Sequence, residues 1–367
     1  PYVNVKRGID KSLKALYEVY YKTAVGQYDL FVLFIEYGIK YGIINIMIVP
    51  KPILNNENYK IARRLLLSNN VFQIITGSNI FENAGVESCI FLTNKISENS
   101  SITISKYEDG NFKETNAIER SIYKNAAAYV FSTEIGCGEI ELIEKLNAHN
   151  KLGAEFNIKR GVEVGKNDDC VSDIKNDYPL LRGQDISRYS KKYAGLYIDY
   201  DEESTSIFKE IDLYNNPKIL LRRVGNSIQC VYDDNSFIVL NTIYCVTLKE
   251  SFLPNVLEAY SAILNSKLIA FWFYKTYCNT DKLFPYIRVS QLAMIPIVNL
   301  SQGHAKTLCH YARQICKSPS ELLENQIDFL VYHLYNLTYD EVLIVDPETP
   351  FSREQYESNN NLDDNER

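Results

Sequence analysis

The chain has 367 residues, of which 46% are hydrophobic and 23% are charged. These values are typical of folded globular proteins, and they exclude a collagen-like or largely disordered chain. No apolar run approaches the roughly 18 residues that a transmembrane helix needs, so we expect no membrane partner. Position 1 is not Met, and we therefore expect the chain to be a fragment or a processed product.

The net charge of −7 is unevenly distributed along the chain. Residues 301–367 contain five Lys or Arg and twelve Asp or Glu, which accounts for the whole acidic excess. The preceding residues are neutral overall, so any basic face must come from spatial segregation of charge. The net charge therefore does not exclude a nucleic-acid partner.

The eight cysteines include no CxxC pair, which predicts reduced thiols and a cytoplasmic protein. The spacing of Cys309, His310 and Cys316 matches no zinc-ligand pattern, and we predict no metal site. The four histidines have no nucleophile or carboxylate partner in a recognisable order, and we assign them no catalytic role.

Helical and strand patterns alternate over residues 1–115, as in an α/β layer structure. Helices are predicted at 9–21, 29–42 and 59–67, and strands at 43–49, 71–76, 86–93 and 102–107. We expect Asp29 to cap the second helix. Because residues 43–49 are almost continuously apolar, we expect that strand to be buried on both faces, as in a parallel sheet.

The pattern of apolar and polar residues divides the rest of the chain into four predicted segments. Residues 116–150 form a helical connector, and 151–300 form a domain of short strands and polar turns with a helical pair at 256–277. Residues 301–345 are helical, and the polar, acidic residues 346–367 are expected to be disordered.

Three segments of the 151–300 domain place arginines beside turns at the ends of apolar, strand-like runs, namely 179–189, 217–223 and 285–296. A scaffold presents cations to a phosphate backbone in this way. The glycine-containing segment 156–167 adds further donors. The candidate DNA contacts are Lys159, Arg160, Lys166, Asn167, Arg182, Arg188, Arg222, Arg223, Lys282 and Arg288. The alternatives are a solvated hairpin at 156–167 and structural ion pairs at Arg182 and Arg223, and the sequence does not say which cations read bases.

Taken in order, these three segments resemble the TaqI-like target-recognition domain of adenine-specific DNA methyltransferases. Residues 29–36, 42–50 and 81–91 resemble the segments that follow the catalytic motif in the gamma-type enzymes. Pro1 and Tyr2 are similar to the second half of the Asn-Pro-Pro-Tyr catalytic motif. The resemblance implies the C-terminal part of a gamma-type adenine-specific (N6) DNA methyltransferase of a restriction-modification system, type IIG-like. An unrelated α/β fragment is the alternative.

The implied fold class is α/β: the C-terminal half of a Rossmann-like methyltransferase sheet, with a mixed α+β recognition domain and C-terminal helices. The implied reaction transfers a methyl group from S-adenosylmethionine to N6 of an adenine flipped out of double-stranded DNA. By resemblance, Pro1 and Tyr2 are catalytic, and Tyr2 and Phe81 stack on the flipped base. Phe81 also fits an ordinary core position.

The resemblance places the cofactor-binding residues upstream of Pro1, and they remain unknown. We therefore expect the isolated chain to be inactive and to bind S-adenosylmethionine weakly. The pair Gly136 and Gly138 fits a structural turn better than a cofactor loop, because no third glycine follows. A fused or separate restriction endonuclease is a further partner that the resemblance allows.

Two rival interpretations remain open. The first is a non-catalytic DNA-recognition module, like a specificity subunit, that acts with a separate enzyme. The second is a decayed product with neither activity, which would bind DNA only weakly and in a salt-sensitive manner.

Overall fold

The computed structural model describes residues 3–4, 9–77, 87–108, 110–125, 127–133, 136–165, 168–201, 209–225, 227–249, 256–277 and 286–358. The contacts within the chain define two compact units. The first consists of Pro1–Glu141 with Lys275–Thr280, and the second of Leu142–Tyr274 with Asp281–Arg367. Within the described ranges, no helix is long and apolar enough to cross a membrane.

The first 150 residues contain five helices and five longer strands among the described residues. The helices are α1 (Lys11–Tyr20), α2 (Phe31–Tyr41), α3 (Lys60–Ser68), α4 (Arg120–Asn125) and α5 (Cys137–Asn147), with 3-10 turns at Lys51–Leu54, Glu57–Tyr59 and Ala127–Tyr129. The strands are β1 (Ile44–Pro50), β2 (Val71–Gly77), β3 (Ser88–Asn94), β4 (Ser101–Glu108) and β5 (Asn111–Glu119). The predicted alternation of helix and strand is therefore present.

These five strands form one mixed sheet in the order β1-β3-β2-β4-β5. Strand β3 lies between β1 and β2 and runs antiparallel to both, while β2 and β4 are parallel. Strand β5 is antiparallel to β4 and includes residues 116–119. The prediction of a helical connector beginning at residue 116 is wrong for those residues, because the β4–β5 hairpin continues through them.

Strand β1 is not buried on both faces, and that prediction is wrong. Helix α2 covers one face, since Met47 packs against α2 at Gly38 and Val49 is 3% exposed. On the other face Ile44 and Ile46 are 62% and 68% exposed. A continuous apolar run shows that a strand has two apolar faces, but not that both of them are covered.

Asp29 does not cap α2, and that prediction is also wrong. The N-cap is Leu30, without a side-chain hydrogen bond. The Asp29 carboxylate instead accepts a hydrogen bond from the Tyr59 hydroxyl at 2.5 Å. Asn4 forms a bridge with Asp29, and Leu30 N–H donates to Val3 O at 3.0 Å. The start of α2 is thus held by tertiary contacts rather than by a local cap.

The middle of the chain consists of short strands connected by short helices. The strands are β6 (Asn150–Lys151), β7 (Phe156–Arg160), β8 (Val171–Ser172), β9 (Pro179–Leu181), β10 (Ile186–Ser187), β11 (Ser190–Lys191), β12 (Leu196–Ile198), β13 (Lys218–Arg222), β14 (Cys230–Asp233), β15 (Ile238–Val239), β16 (Ile243–Leu248) and β17 (Pro296–Ile297). The helices are α6 (Leu152–Glu155), α7 (Asp212–Asn215), α8 (Val256–Leu264), α9 (Lys267–Tyr277) and α10 (Val289–Ala293), with a 3-10 turn at Gly183–Asp185.

Two four-stranded sheets organise this region. One has the order β14-β13-β16-β7 and is antiparallel throughout, and the other has the order β15-β9-β12-β8. In the second sheet β15 runs parallel to β9. Both sheets contribute to one hydrophobic core, represented by Leu181 and Val239 from the second sheet and Leu220 and Cys245 from the first.

The C-terminal residues form helices α11 (Gln302–Lys317), α12 (Glu321–Leu334), α13 (Tyr339–Val345) and α14 (Arg353–Ser358). The disorder predicted for 346–367 is wrong for α14. Tyr356 is 2% exposed, and its hydroxyl donates to Leu337 O at 2.9 Å, so burial of one aromatic side chain anchors the polar segment. Residues 359–367 lie outside the described residues.

Candidate nucleic-acid interface

The candidate interface is built around the segment 239–242, which connects β15 to β16 and which we term the hub turn. Its backbone forms hydrogen bonds with three separate parts of the second unit. Leu240 N–H donates to Leu181 O at 3.1 Å, and Asn241 N–H donates to Val162 O at 2.9 Å. Arg223 N–H donates to Thr242 O at 2.8 Å. Three segments that are far apart in sequence therefore meet at the hub turn.

Two Arg-Gly pairs are brought against the hub turn because glycine permits close approach of the backbone. A Cβ atom on Gly161 would lie 2.0 Å from Val239 O. A Cβ atom on Gly183 would lie 3.0 Å from Thr242 O, and Gly183 N–H donates to the Thr242 hydroxyl at 2.9 Å. The glycines thus place Arg160 and Arg182, the residues before them, beside the same turn.

Arg160 lies at the end of the outer strand β7 and remains half-exposed. Its guanidinium group pairs with Glu163 at 3.2 Å, and the same carboxylate accepts a hydrogen bond from Asn241 Nδ2 at 3.2 Å. The neighbouring Lys159 is exposed at the same sheet edge. This part of the interface therefore offers two cations, one of which is already partly neutralised.

Arg223 is held between the hub turn and the ring of Tyr286. The guanidinium carbon lies 4.8 Å from the centre of the Tyr286 ring, and Nη1 donates to Asn241 O at 3.2 Å. Ile287 N–H donates to Arg223 O at 2.9 Å, and Val224 bridges to Tyr286. Both the guanidinium plane and the backbone beneath it are fixed.

Tyr244 stabilises the backbone next to Tyr286. Its buried hydroxyl donates to Ile287 O at 2.8 Å. Burial raises the pKa of this hydroxyl, and the positive charge of Arg223 opposes the increase. Tyr244 therefore remains a neutral donor that holds Ile287, and with it the adjoining Tyr286, in position.

Arg182 and Arg188 are occupied by contacts within the second unit. Arg182 uses Nε and Nη2 on the two oxygens of the buried Asp185, at 3.2 and 3.3 Å. Arg188 pairs with Glu324 at 2.8 Å and donates to Asn265 O at 2.9 Å. The ion-pair alternative for Arg182 is observed, and DNA contacts by these two residues remain predictions.

The remaining predicted site residues either make fewer contacts or lie outside the described residues. Arg222 is half-buried at the end of β13, and its buried Nε has no hydrogen-bond partner among the described residues. Arg288 is exposed, and its backbone N–H donates to Gln291 Oε1 at 2.9 Å. The candidates outside the described residues are Pro1, Tyr2, Phe81, Lys166, Asn167 and Lys282.

Sequence reasoning did not select Tyr286, Asn241, Thr242 or Glu163 as site residues. For Tyr286 a sequence signal was present, because it lies two positions before Arg288 in the segment 285–296 that was selected from the sequence. Asn241 and Thr242 carried no such signal, since their role depends on backbone contacts with residues distant in sequence.

Comparisons with known proteins identify a family match over the part of the chain that contains the hub turn. Residues 178–297 match the family model of the TaqI-like C-terminal specificity domain. The chain carries a TaqI-like specificity domain. Residues 1–81 match the Eco57I restriction-modification methylase family. The predicted resemblance is therefore confirmed, and the hub turn, Arg182 and Arg223 lie within the specificity domain. No curated protein is significantly similar to the chain in sequence.

One of the solved structures below is similar in fold over nearly the whole chain. The type IIL restriction-modification enzyme MmeI, solved in complex with DNA, is 14% identical, with a TM-score of 0.56 over 98% of this chain and 56% of that one. The type IIG restriction endonuclease BpuSI is 13% identical, with a TM-score of 0.40 over 97% of this chain and 53% of that one. The chain thus spans little more than half of either protein. The predicted α/β fold class, with a Rossmann-like partial sheet, is confirmed.

A methylase-family segment raises the question of where a methyl donor would bind. The sequence element Gly136-Cys137-Gly138 is the start of helix α5, and Gly136 N–H donates to Glu139 Oε2 at 2.7 Å. The Gly136 N–H group is therefore used at the start of helix α5.

Proposed function

We propose that this chain forms the sequence-reading part of a site-specific DNA adenine N6-methyltransferase of a restriction-modification system. The observation that carries the proposal is the convergence of Arg160, Arg182 and Arg223 on one turn of a TaqI-like specificity domain. The methylase-family match over residues 1–81 supports the reaction class. S-adenosylmethionine is the proposed donor and double-stranded DNA the proposed substrate.

The charges of the interface suit a duplex better than a small anion. Lys159 and Arg288 are exposed and can neutralise phosphates, which gives affinity without sequence preference. Arg223 is fixed in orientation, and Asn241 and Glu163 add a donor and an acceptor beside it. Mixed donors and acceptors among cations are the requirement for reading base edges.

A non-catalytic recognition module is the second candidate function. It is favoured by the use of the Gly136–Gly138 element as a helix start rather than as a cofactor turn. It is also favoured by the open face of β1, on which Ile44 and Ile46 are exposed, because such a face suits a chain that acts together with another polypeptide. A fused or separate restriction endonuclease is a partner of the same proposal.

Base flipping separates the two functions using this chain alone. A library of randomised DNA duplexes is first selected on the purified chain to obtain its binding site. Each adenine of that site is then placed in turn opposite an abasic position. Because unpairing a base costs a few kcal/mol, a protein that holds a flipped adenine should bind one of these duplexes roughly 10- to 100-fold more tightly.

The outcomes of that experiment are distinct. A single adenine position with tighter binding supports the methyltransferase. Selection of a site without any such position supports the recognition module. A chain that enriches no sequence at all contradicts both, since each requires specific DNA binding.

A further inference from the structure

Among the described residues, Arg223 is held in both position and orientation without an ion pair to a carboxylate, unlike Arg182 and Arg188. Its backbone N–H donates to Thr242 O at 2.8 Å, and its carbonyl accepts from Ile287 N–H at 2.9 Å. Its side chain is anchored through Nη1 to Asn241 O and lies on the ring of Tyr286. A side chain fixed in this way loses little further conformational entropy when it binds a ligand.

The Tyr286 ring is a firm support although it is exposed. The ring is 48% exposed, yet its backbone bridges to Val224 and the next residue, Ile287, is buried. The Ile287 carbonyl also accepts from the Tyr244 hydroxyl at 2.8 Å. The Tyr286 backbone is therefore fixed beside Arg223, so the ring is presented to the guanidinium group from a defined position.

The remaining donors of Arg223 suit a planar acceptor pair. One Nη1 hydrogen bond is made to the hub turn, and the guanidinium group also lies within hydrogen-bonding range of the Tyr244 hydroxyl. A guanidinium group whose plane is fixed recognises the O6 and N7 acceptors of guanine by two parallel hydrogen bonds. A phosphate can also accept two hydrogen bonds from one guanidinium group, so the selection experiment below has to distinguish a base from a phosphate.

The other cations do not share these properties. The guanidinium groups of Arg182 and Arg188 form ion pairs with carboxylates of the second unit. The charge of Arg160 is partly neutralised by Glu163. Lys159 is exposed and lacks a planar fork, so it serves phosphates better than bases.

We propose that Arg223 reads a guanine of the target site in the major groove, and that Tyr286 is a positioning residue that fixes its guanidinium plane. This inference rests on the proposed function, because it requires that the specificity domain binds a specific DNA sequence. It adds to that function a base identity and the pair of residues that selects it.

Selection from randomised duplexes tests the pair directly in the full chain. The wild-type protein should enrich a site with at least one strongly preferred guanine. Tyr286→Leu should reduce the preference for that guanine about tenfold or more and leave the other positions unchanged, and Arg223→Met should abolish it. Tyr286→Phe keeps the ring and should behave as the wild type.

Two controls separate base reading from general weakening. Tyr274 is 49% exposed in α9, so Tyr274→Leu removes an equally exposed tyrosine and should leave the selected site unchanged. Lys159→Ala should weaken binding to all duplexes alike and reduce the salt dependence of binding.

Each further result has one meaning. If Arg223→Met and Tyr286→Leu select the wild-type site with the same guanine preference, Arg223 does not read a base and the inference fails while the proposed function stands. If the variants alter different positions, Tyr286 does not act through Arg223. If the wild type selects no site, the proposed function fails and this inference with it.

Discussion

Replacing Gly161 by alanine tests whether the hub turn organises the interface. The added methyl group would lie 2.0 Å from Val239 O and 2.6 Å from Leu240 O, far closer than the 3.4 Å at which ordinary contact begins. Both obstacles are backbone atoms of the hub turn, which is also held by the Val162 N–H bond to Val239 O and the Asn241 N–H bond to Val162 O. The methyl group can therefore be accommodated only by moving the turn.

The expected cost follows from two contributions. Overpacking a well-packed site costs about 1–3 kcal/mol. Weakening two backbone hydrogen bonds costs about 0.5–1.5 kcal/mol each. We therefore expect Gly161→Ala to lower the free energy of unfolding by about 2–6 kcal/mol and to impair selection of a DNA site.

Urea unfolding followed by tryptophan fluorescence measures this loss. Trp272 is the only tryptophan of the chain, is 1% exposed and lies in the same unit as the hub turn. Gly165→Ala is the matched control, because an added Cβ atom there meets nothing within 4 Å. A Gly161→Ala protein within about 0.5 kcal/mol of the wild type, with DNA selection intact, would refute the reasoning.

Two further predictions concern buried charges of the second unit. Lys218 and Asp233 are both 0% exposed and lie 2.7 Å apart. Lys218→Met leaves Lys191 and Asn235 as partners of the Asp233 carboxylate and should lower the free energy of unfolding by about 3 kcal/mol. The double variant Lys218→Met/Asp233→Leu should recover most of this loss in urea unfolding, and a double variant as unstable as the single one would contradict the account. Burial raises the pKa of Asp328 from its ordinary value of 3.8 to about 7. Between these values the folded chain retains a proton that the unfolded chain releases, so this group makes folding less favourable as the pH rises. Asp328→Asn keeps an oxygen that accepts the Lys267 N–H hydrogen bond. The variant should remove up to about 1.4 kcal/mol per pH unit from the slope of the unfolding free energy against pH. Equal slopes for the variant and the wild type would contradict the raised pKa.

The open face of β1 shows where local patterns mislead. Residues 43–49 are apolar on both faces, and from that pattern burial of both is the natural expectation. Helix α2 covers only the face of Met47 and Val49, while Ile44 and Ile46 remain exposed. Which elements cover a strand depends on the rest of the sheet, and this information is not contained in the strand itself.

The same limit applies to capping. Asp29 is a good local N-cap, but its carboxylate binds the Tyr59 hydroxyl, 30 residues away in sequence. By contrast, the capping box of Thr338 and Glu341 at the start of α13 is formed between residues only three positions apart. Local bonds between residues three apart can be predicted, whereas a competing partner from another element cannot.

The sequence by itself determined the α/β class, most helices and strands of residues 9–108, and the family resemblance that the matches at 1–81 and 178–297 confirm. These properties depend on the periodicity of apolar residues and on short ordered motifs. The roles of the arginines were decided only by the tertiary structure. Arg182 and Arg223 both follow short apolar strands, yet one is bound to Asp185 and the other lies on Tyr286. Their environments differ because the contacts that define them come from distant segments of the chain, which only the folded backbone brings together.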